Sequence, residues 1–150
     1  MPDNQWRVFV DTNVLIAGLA SRTGASAAIL DLGEAEEIRI LISRHVLIEA
    51  DRVFLDKFPH LVNQYRMFIK NLVPLLIDDP KSQAVREACQ VIELDDAPIL
   101  AAVKSQKVDY LVTLNTKHFR TIQVRNYLLT PIVTPGEFLI DFRTFWKQAG

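Results

Sequence analysis

Cysteine is scarce in this chain: Cys89 is the only one in 150 residues. No intrachain disulfide can form, and a reducing cytoplasm is the expected setting. Histidine and cysteine do not recur at zinc-site spacing either, since His45, His60 and His118 are scattered. There is no glycine-rich phosphate loop, which argues against nucleoside triphosphate binding, and no motif supports a Ser–His–Asp triad. No apolar run approaches the roughly 18 residues of a membrane span, so no membrane partner is expected. The opening stretch MPDNQWR lacks the basic start and apolar middle of a secretion leader. An excess of either charge is missing too, the formal net charge being −1. That removes any global pull toward nucleic acid, although a local basic rim can serve on an otherwise acidic surface. Repeats, low-complexity segments and linkers are absent.

What is present has the composition of a globular protein, 49% hydrophobic and 23% charged. The length suits one domain, residues 1–150, with a full core. Apolar periodicity sorts the chain into alternating elements. RVFV (7–10), IRILI (38–42), PLLI (74–77), YLVTL (110–114) and PIV (131–133) read as strands. Between them, Ala25, Ala28, Ile29 and Leu32 repeat at helical spacing, with Gly33 loosening or ending that helix. Leu47, Ala50, Phe54 and Phe58 form a second stripe, opened by Ser43 as a cap and ended by Pro59. Leu61, Tyr65, Phe68 and Leu72 mark a third helix, and Val85, Ala88, Cys89 and Ile92 a fourth. A further helix begins near Asp96. TPGE (134–137) is a capping box with proline at the first helical position, opening a helix that carries Phe138, Phe142 and Phe145. Alternation of this kind implies a mostly parallel sheet covered on both faces. Ligands of such sheets bind beyond the carboxyl ends of the strands, where strand order reverses.

Three acids fall at that rim. In VFVDTNVLIAGL (8–19), Asp11 sits between a strand-like and a helix-like run, and burying it is costly unless a partner or a cation compensates it. Glu49 shares its helical face with Val46 and Val53 and so points partly inward. In ELDDAPILAAV (93–103), Asp96 shares a face with Ile99, Leu100 and Val103 and points toward the sheet. Asp95, just before the helix, suits its N-cap, and Pro98 is tolerated in the first turn. Asn115 lies just past the fourth strand, level with Asp11, and brings an amide oxygen but no charge. Taken singly, each acid is an ordinary cap or helical residue; taken together, they make a candidate site. Carboxylates held close repel unless something positive arrives, and all-oxygen donors favour Mg2+ or Mn2+ over zinc. Such a cluster serves phosphodiester hydrolysis.

At this point the chain resembles the PIN-domain family. VFVDTNVLIAGL resembles its opening strand and DTN motif, ISRHVLIEA the segment with its helix-borne glutamate, and DDAPILAAVKSQKVDYLVTLNTKHF its third motif, helix, strand and closing motif. The similarity runs from about residue 7 to about 140. The resemblance implies a three-layer α/β/α fold around a sheet of about five strands, and Mg2+- or Mn2+-dependent RNA cleavage. It also implies a toxin of the VapC-like kind, neutralised by an antitoxin partner and often a homodimer. Carried over by position, Asp11, Glu49 and Asp96 are the metal-site acids. Asn13 orients Asp11 through its amide. Asn115 completes the catalytic set where the family often has aspartate, and losing that charge weakens a second metal position most. For holding RNA, Arg44, Arg52, Lys104, Lys107, Lys117 and His118 lie near the motifs, with Lys117 and His118 foremost because they follow the site strand directly. The alternative is a catalytically weak or inactive PIN-like module that binds RNA or a partner without cutting. Haloacid-dehalogenase-type phosphatases need a second acid where this chain has Asn13, and PLLIDDP poorly fits a receiver domain's phosphoacceptor strand.

Overall fold

The computed structural model describes residues 5–72 and 74–149; residues 1–4 of the MPDNQWR stretch lie outside it. In chain order the elements are β1 (Arg7–Val10), α1 (Thr12–Ala20), α2 (Ala25–Glu34), β2 (Arg39–Ser43), α3 (Arg44–Lys57), α4 (Val62–Leu72) and β3 (Leu75–Ile77). Then come α5 (Ser82–Ala88), α6 (Ala97–Lys104), β4 (Tyr110–Val112), α7 (Thr116–Phe119), α8 (Ile122–Tyr127), β5 (Ile132–Val133) and α9 (Pro135–Ala149). The strands join one five-stranded sheet in the order β3-β2-β1-β4-β5, every pair parallel. Helices cover both faces, giving the three-layer α/β/α architecture expected from the alternation. Among the described residues no single helix is long and apolar enough to cross a membrane.

The strands are nearly continuous apolar runs because both faces are covered. Val8, Phe9 and Val10 are fully buried in β1, flanked in register by Leu41 of β2 and by Leu111 and Val112 of β4. From β1 the chain works outward to β2 and β3, then returns across the sheet to place β4 on the other side of β1. The reversal opens a crevice at the carboxyl ends of β1 and β4, where parallel sheets take ligands.

Local chemistry sets the helix ends. Ser43 caps α3, its hydroxyl accepting from the Val46 N–H at 3.2 Å. At the start of α9, Thr134 Oγ1 accepts from the Glu137 N–H (3.2 Å) while Glu137 Oε1 accepts from the Thr134 N–H (2.9 Å), the reciprocal capping box. That backbone donor, then the Arg120 guanidinium, hold the Glu137 carboxyl below its ordinary range. Phe54 stacks on Tyr65 at 4.6 Å between α3 and α4, and burial, then the Asp51 charge, push the Tyr65 phenol up to about 12. Phe138 and Phe142 are buried, whereas Phe145 and Trp146 remain half exposed.

Several elements differ from the periodicity. The fourth expected helix stops at Ala88, leaving Cys89–Ile92 in turns, and β4 ends at Val112 rather than 114. α7 and α8, spanning only 4 and 6 residues, are too short to display an apolar period and went unforeseen.

Gly33 does not end its helix: it lies in the last turn of α2, packed against β2 where there is no room for a side chain. A Cβ there would come within 2.4 Å of Ile40 Cδ1 and 2.8 Å of its Cγ1. Overpacking of this kind costs about 1–3 kcal/mol, against roughly 1 kcal/mol gained when alanine replaces a helical glycine. Gly33→Ala therefore lowers the melting temperature, and adding Ile40→Val recovers part of the loss. A thermal melt in which Gly33→Ala alone is stabilising contradicts this packing.

Candidate metal centre at the sheet's switch point

Asp11 leaves β1 directly and stands at the N-cap of α1, almost fully buried. Its backbone N–H still donates to the Val112 carbonyl (3.0 Å), which fixes it against the end of β4. Both carboxylate oxygens are held: Oδ1 accepts from the Thr12 N–H at 2.7 Å and Oδ2 from the buried Thr113 hydroxyl at 2.7 Å. Thr113 Oγ1 in turn accepts from the Asn115 N–H at 2.9 Å. Burial pushes the Asp11 carboxyl above its ordinary range. The hydrogen bonds from Thr113 and Thr12 oppose that shift, and the charges of Glu49 and Asp96 reinforce it.

Glu49 reaches the same rim from α3, which follows β2. Its Oε1 accepts from the Thr12 hydroxyl at 2.8 Å, so Thr12 ties both acids together through its N–H and its O–H. One turn earlier on α3, His45 Nε2 is buried and lies 3.3 Å from Glu49 Oε1 without making a hydrogen bond. On the other side of the crevice, Asp96 Oδ2 lies 2.9 Å from His118 Nδ1, and Asn115 Nδ2 lies 3.3 Å from that same nitrogen. A continuous run of contacts thus links Asp11, Glu49, Asp96, Asn115 and His118 across four elements.

Several sequence expectations need correction. Asn13 is exposed and makes no hydrogen bond to Asp11. α1 begins at Thr12, and the helical turn carries Asn13 to the outer face, so Thr12 and Thr113 orient Asp11 instead. The N-cap of α6 is Asp96 rather than Asp95, which is exposed, and the Asp96 side chain caps nothing. Lys104 and Lys107 are at the wrong end of the sheet. α6 runs back toward the strands' amino ends, where Lys104 Nζ donates to the Tyr127 carbonyl (2.8 Å) and the Lys107 carbonyl accepts from Arg7 Nε (2.6 Å). Arg44, Arg52 and Lys117 are exposed, Lys117 in α7 beyond the end of β4. Thr12, Thr113 and His45 carried no signal in the sequence beyond standing next to, two residues before, or one helical turn before a candidate.

The family model of the PIN domain matches residues 7–117. The chain belongs to the PIN-domain family. Its fold is similar to that of a chain of VapBC2 from Rickettsia felis, solved bound to a DNA fragment from the promoter (TM-score 0.61, 17% identity, 85% of this chain and 96% of that one). FitAcB from Neisseria gonorrhoeae is similar at TM-score 0.58 and 17% identity, over 85% of this chain and 97% of that one. VapC20 from Mycobacterium tuberculosis, a sarcin–ricin loop cleaving toxin, matches at TM-score 0.52 and 17% identity, over 69% and 86% of the two chains. No curated protein matches the sequence.

PIN-domain membership implies a divalent cation, and the donors here fit one in kind: the three acids offer oxygens, and a positive charge would relieve the burial and repulsion acting on Asp11. They do not form a closed cage. Among the described residues, no three His, Cys, Asp or Glu side chains come close enough together to hold one ion. That geometry suits a hydrated cation that keeps several waters. Two concavities, one of about 560 Å³ lined by α1, α2, α3 and α4, include none of the three acids.

Because the Asp11 carboxyl is raised, the folded protein keeps its proton where the unfolded chain, near 3.8, has lost it. Stability therefore falls as pH rises through that window and stays lowered above it. In chelator, Asp11→Asn should melt above the parent at pH 7, each kcal/mol recovered being worth roughly 2–4 °C, with the gap closing toward pH 4. A parent that is the more stable of the two at pH 7 contradicts the electrostatics described above.

Proposed function

We propose that this PIN domain is an endoribonuclease that hydrolyses RNA phosphodiester bonds with Mg2+ or Mn2+. We further propose that it is the toxin of a toxin–antitoxin pair, working in the cytoplasm with an antitoxin protein and a second copy of itself as partners. One observation carries the reading: a buried aspartate at the switch point whose ionisation is opposed by burial and by two further acids. VapC20, of the same fold, is a toxin that cleaves the sarcin–ricin loop, which supports RNA as the substrate class. The likeness to VapBC2 supports the antitoxin partner.

Asp11, Glu49 and Asp96 would hold the ion. When bound, a divalent ion lowers the pKa of water and offsets charge on the departing oxygen of a phosphodiester. The chain's own residues prepare that chemistry. Thr113 and Thr12 fix both oxygens of Asp11, and the Thr12 hydroxyl turns Glu49 toward it. Lys117, exposed beside Asn115, offers a positive charge to a phosphate. His118, expected only to touch RNA, sits inside the site against Asp96.

A second reading, a module that binds RNA or a partner without cutting, is favoured by the uncharged Asn115 and by the open spacing of the acids. Incubation with mixed RNA and Mn2+ separates the two. The nuclease reading expects cleavage that stops on chelation and is abolished by Asp11→Asn. Thr113→Val, which removes the hydroxyl from Asp11, should lower it roughly 10–100-fold. Equal silence of parent and Asp11→Asn, with RNA still bound, favours the binding module.

A further inference from the structure

His118, which meets Asp96 at the rim, stands on α7, a helix of only 4 residues. A single turn does not hold itself, because closing it fixes several backbone dihedrals for one hydrogen bond. Its orientation must come from outside, and the structure shows anchors at its start, middle and end. At the start, the Asn115 N–H donates to Thr113 Oγ1 (2.9 Å), the hydroxyl that also serves Asp11. Phe119 is fully buried and pins the turn to the core. At the end, Arg120 reaches the opening of α9, where its guanidinium donates to Glu137 Oε1. That same oxygen accepts from the Thr134 N–H (2.9 Å), so one atom joins the end of α7 to the β5–α9 junction. The first two anchors leave the turn free to swivel about the line between them. Arg120 removes that freedom.

Stability alone does not account for the pair. Glu137 is half exposed, and an ion pair open to solvent adds little to folding. Arg120 also keeps Nε buried without a hydrogen-bond partner among the described residues, which costs stability. Its position does account for it, because Arg120 follows His118 by two residues and His118 Nδ1 lies 2.9 Å from Asp96 Oδ2. We propose that Arg120 is a positioning residue: its pairing with Glu137 sets the rotation of α7 and so holds His118 against Asp96. The inference rests on the nuclease reading above and adds the β5–α9 junction to what orients the site.

Hydrogen exchange, NMR and cleavage test it together. The amides of positions 119 and 120 close α7 onto the Asn115 and Thr116 carbonyls. In Arg120→Ala they should exchange about tenfold faster, with β1 and β4 unchanged. The His118 ring signals should shift, and kcat on RNA with Mn2+ should fall roughly tenfold. Arg120→Lys, which keeps the charge, should recover most of that loss. Glu137→Gln keeps an oxygen for the Thr134 N–H and should behave as Arg120→Ala does, the double variant being no worse than either. Gly33→Ala, which loses stability away from the rim, should leave kcat and the His118 signals as in the parent. Parent-like exchange at 119 and 120, or an Arg120→Ala kcat equal to the parent's, overturns this proposal and leaves the nuclease reading intact. So does an equal loss of kcat in Gly33→Ala. A parent that cleaves no RNA overturns both.

Discussion

An aspartate buried at the end of a central strand needs help to stay ionised, and the structure supplies only part of it. Asp11 receives one hydrogen bond from the Thr12 N–H and one from the Thr113 hydroxyl, while burial and the charges of Glu49 and Asp96 act against it. A net opposition of this kind, where strand order reverses, is one that a nearby positive charge would relieve. The rest of the fold can be read as support for that one position. β1 is central so that Asp11 is buried, β4 is its neighbour so that Thr113 reaches it, and α3 and α6 begin at the same rim so that two more acids arrive there.

Much of this could be read in the sequence because strong local signals agreed with one another. The β-branched runs, the Ser43 cap and the Thr134–Glu137 box each named an element end that tertiary packing had no reason to override. The inward faces of Glu49 and Asp96 followed from apolar neighbours three, four and seven residues away, because helical geometry fixes which residues share a face.

What was not legible depended on contacts between distant segments. Nothing in DTN says that its threonine, rather than its asparagine, turns toward the acids; that follows from α1 starting at Thr12. Thr113 is one polar residue at the end of an apolar strand, and its bond to Asp11 spans 102 residues. Lys104 and Lys107 stand close to Asp96 in sequence, but α6 carries them to the opposite end of the sheet. His118 was legible as a polar residue near the site and not as the group on which Asp96 and Asn115 converge, because helix caps are expected to cap.

The proposed cation site at the crevice can be tested residue by residue in amide NMR spectra recorded with small additions of Mn2+, whose unpaired electrons broaden nearby signals. The structure predicts early, selective loss of the Thr12, Ala50 and Leu114 signals beside the acids. Arg7 and Asp109, at the amino ends of β1 and β4, should stay sharp. Broadening centred elsewhere, or uniform across the sheet, contradicts a metal centre at Asp11.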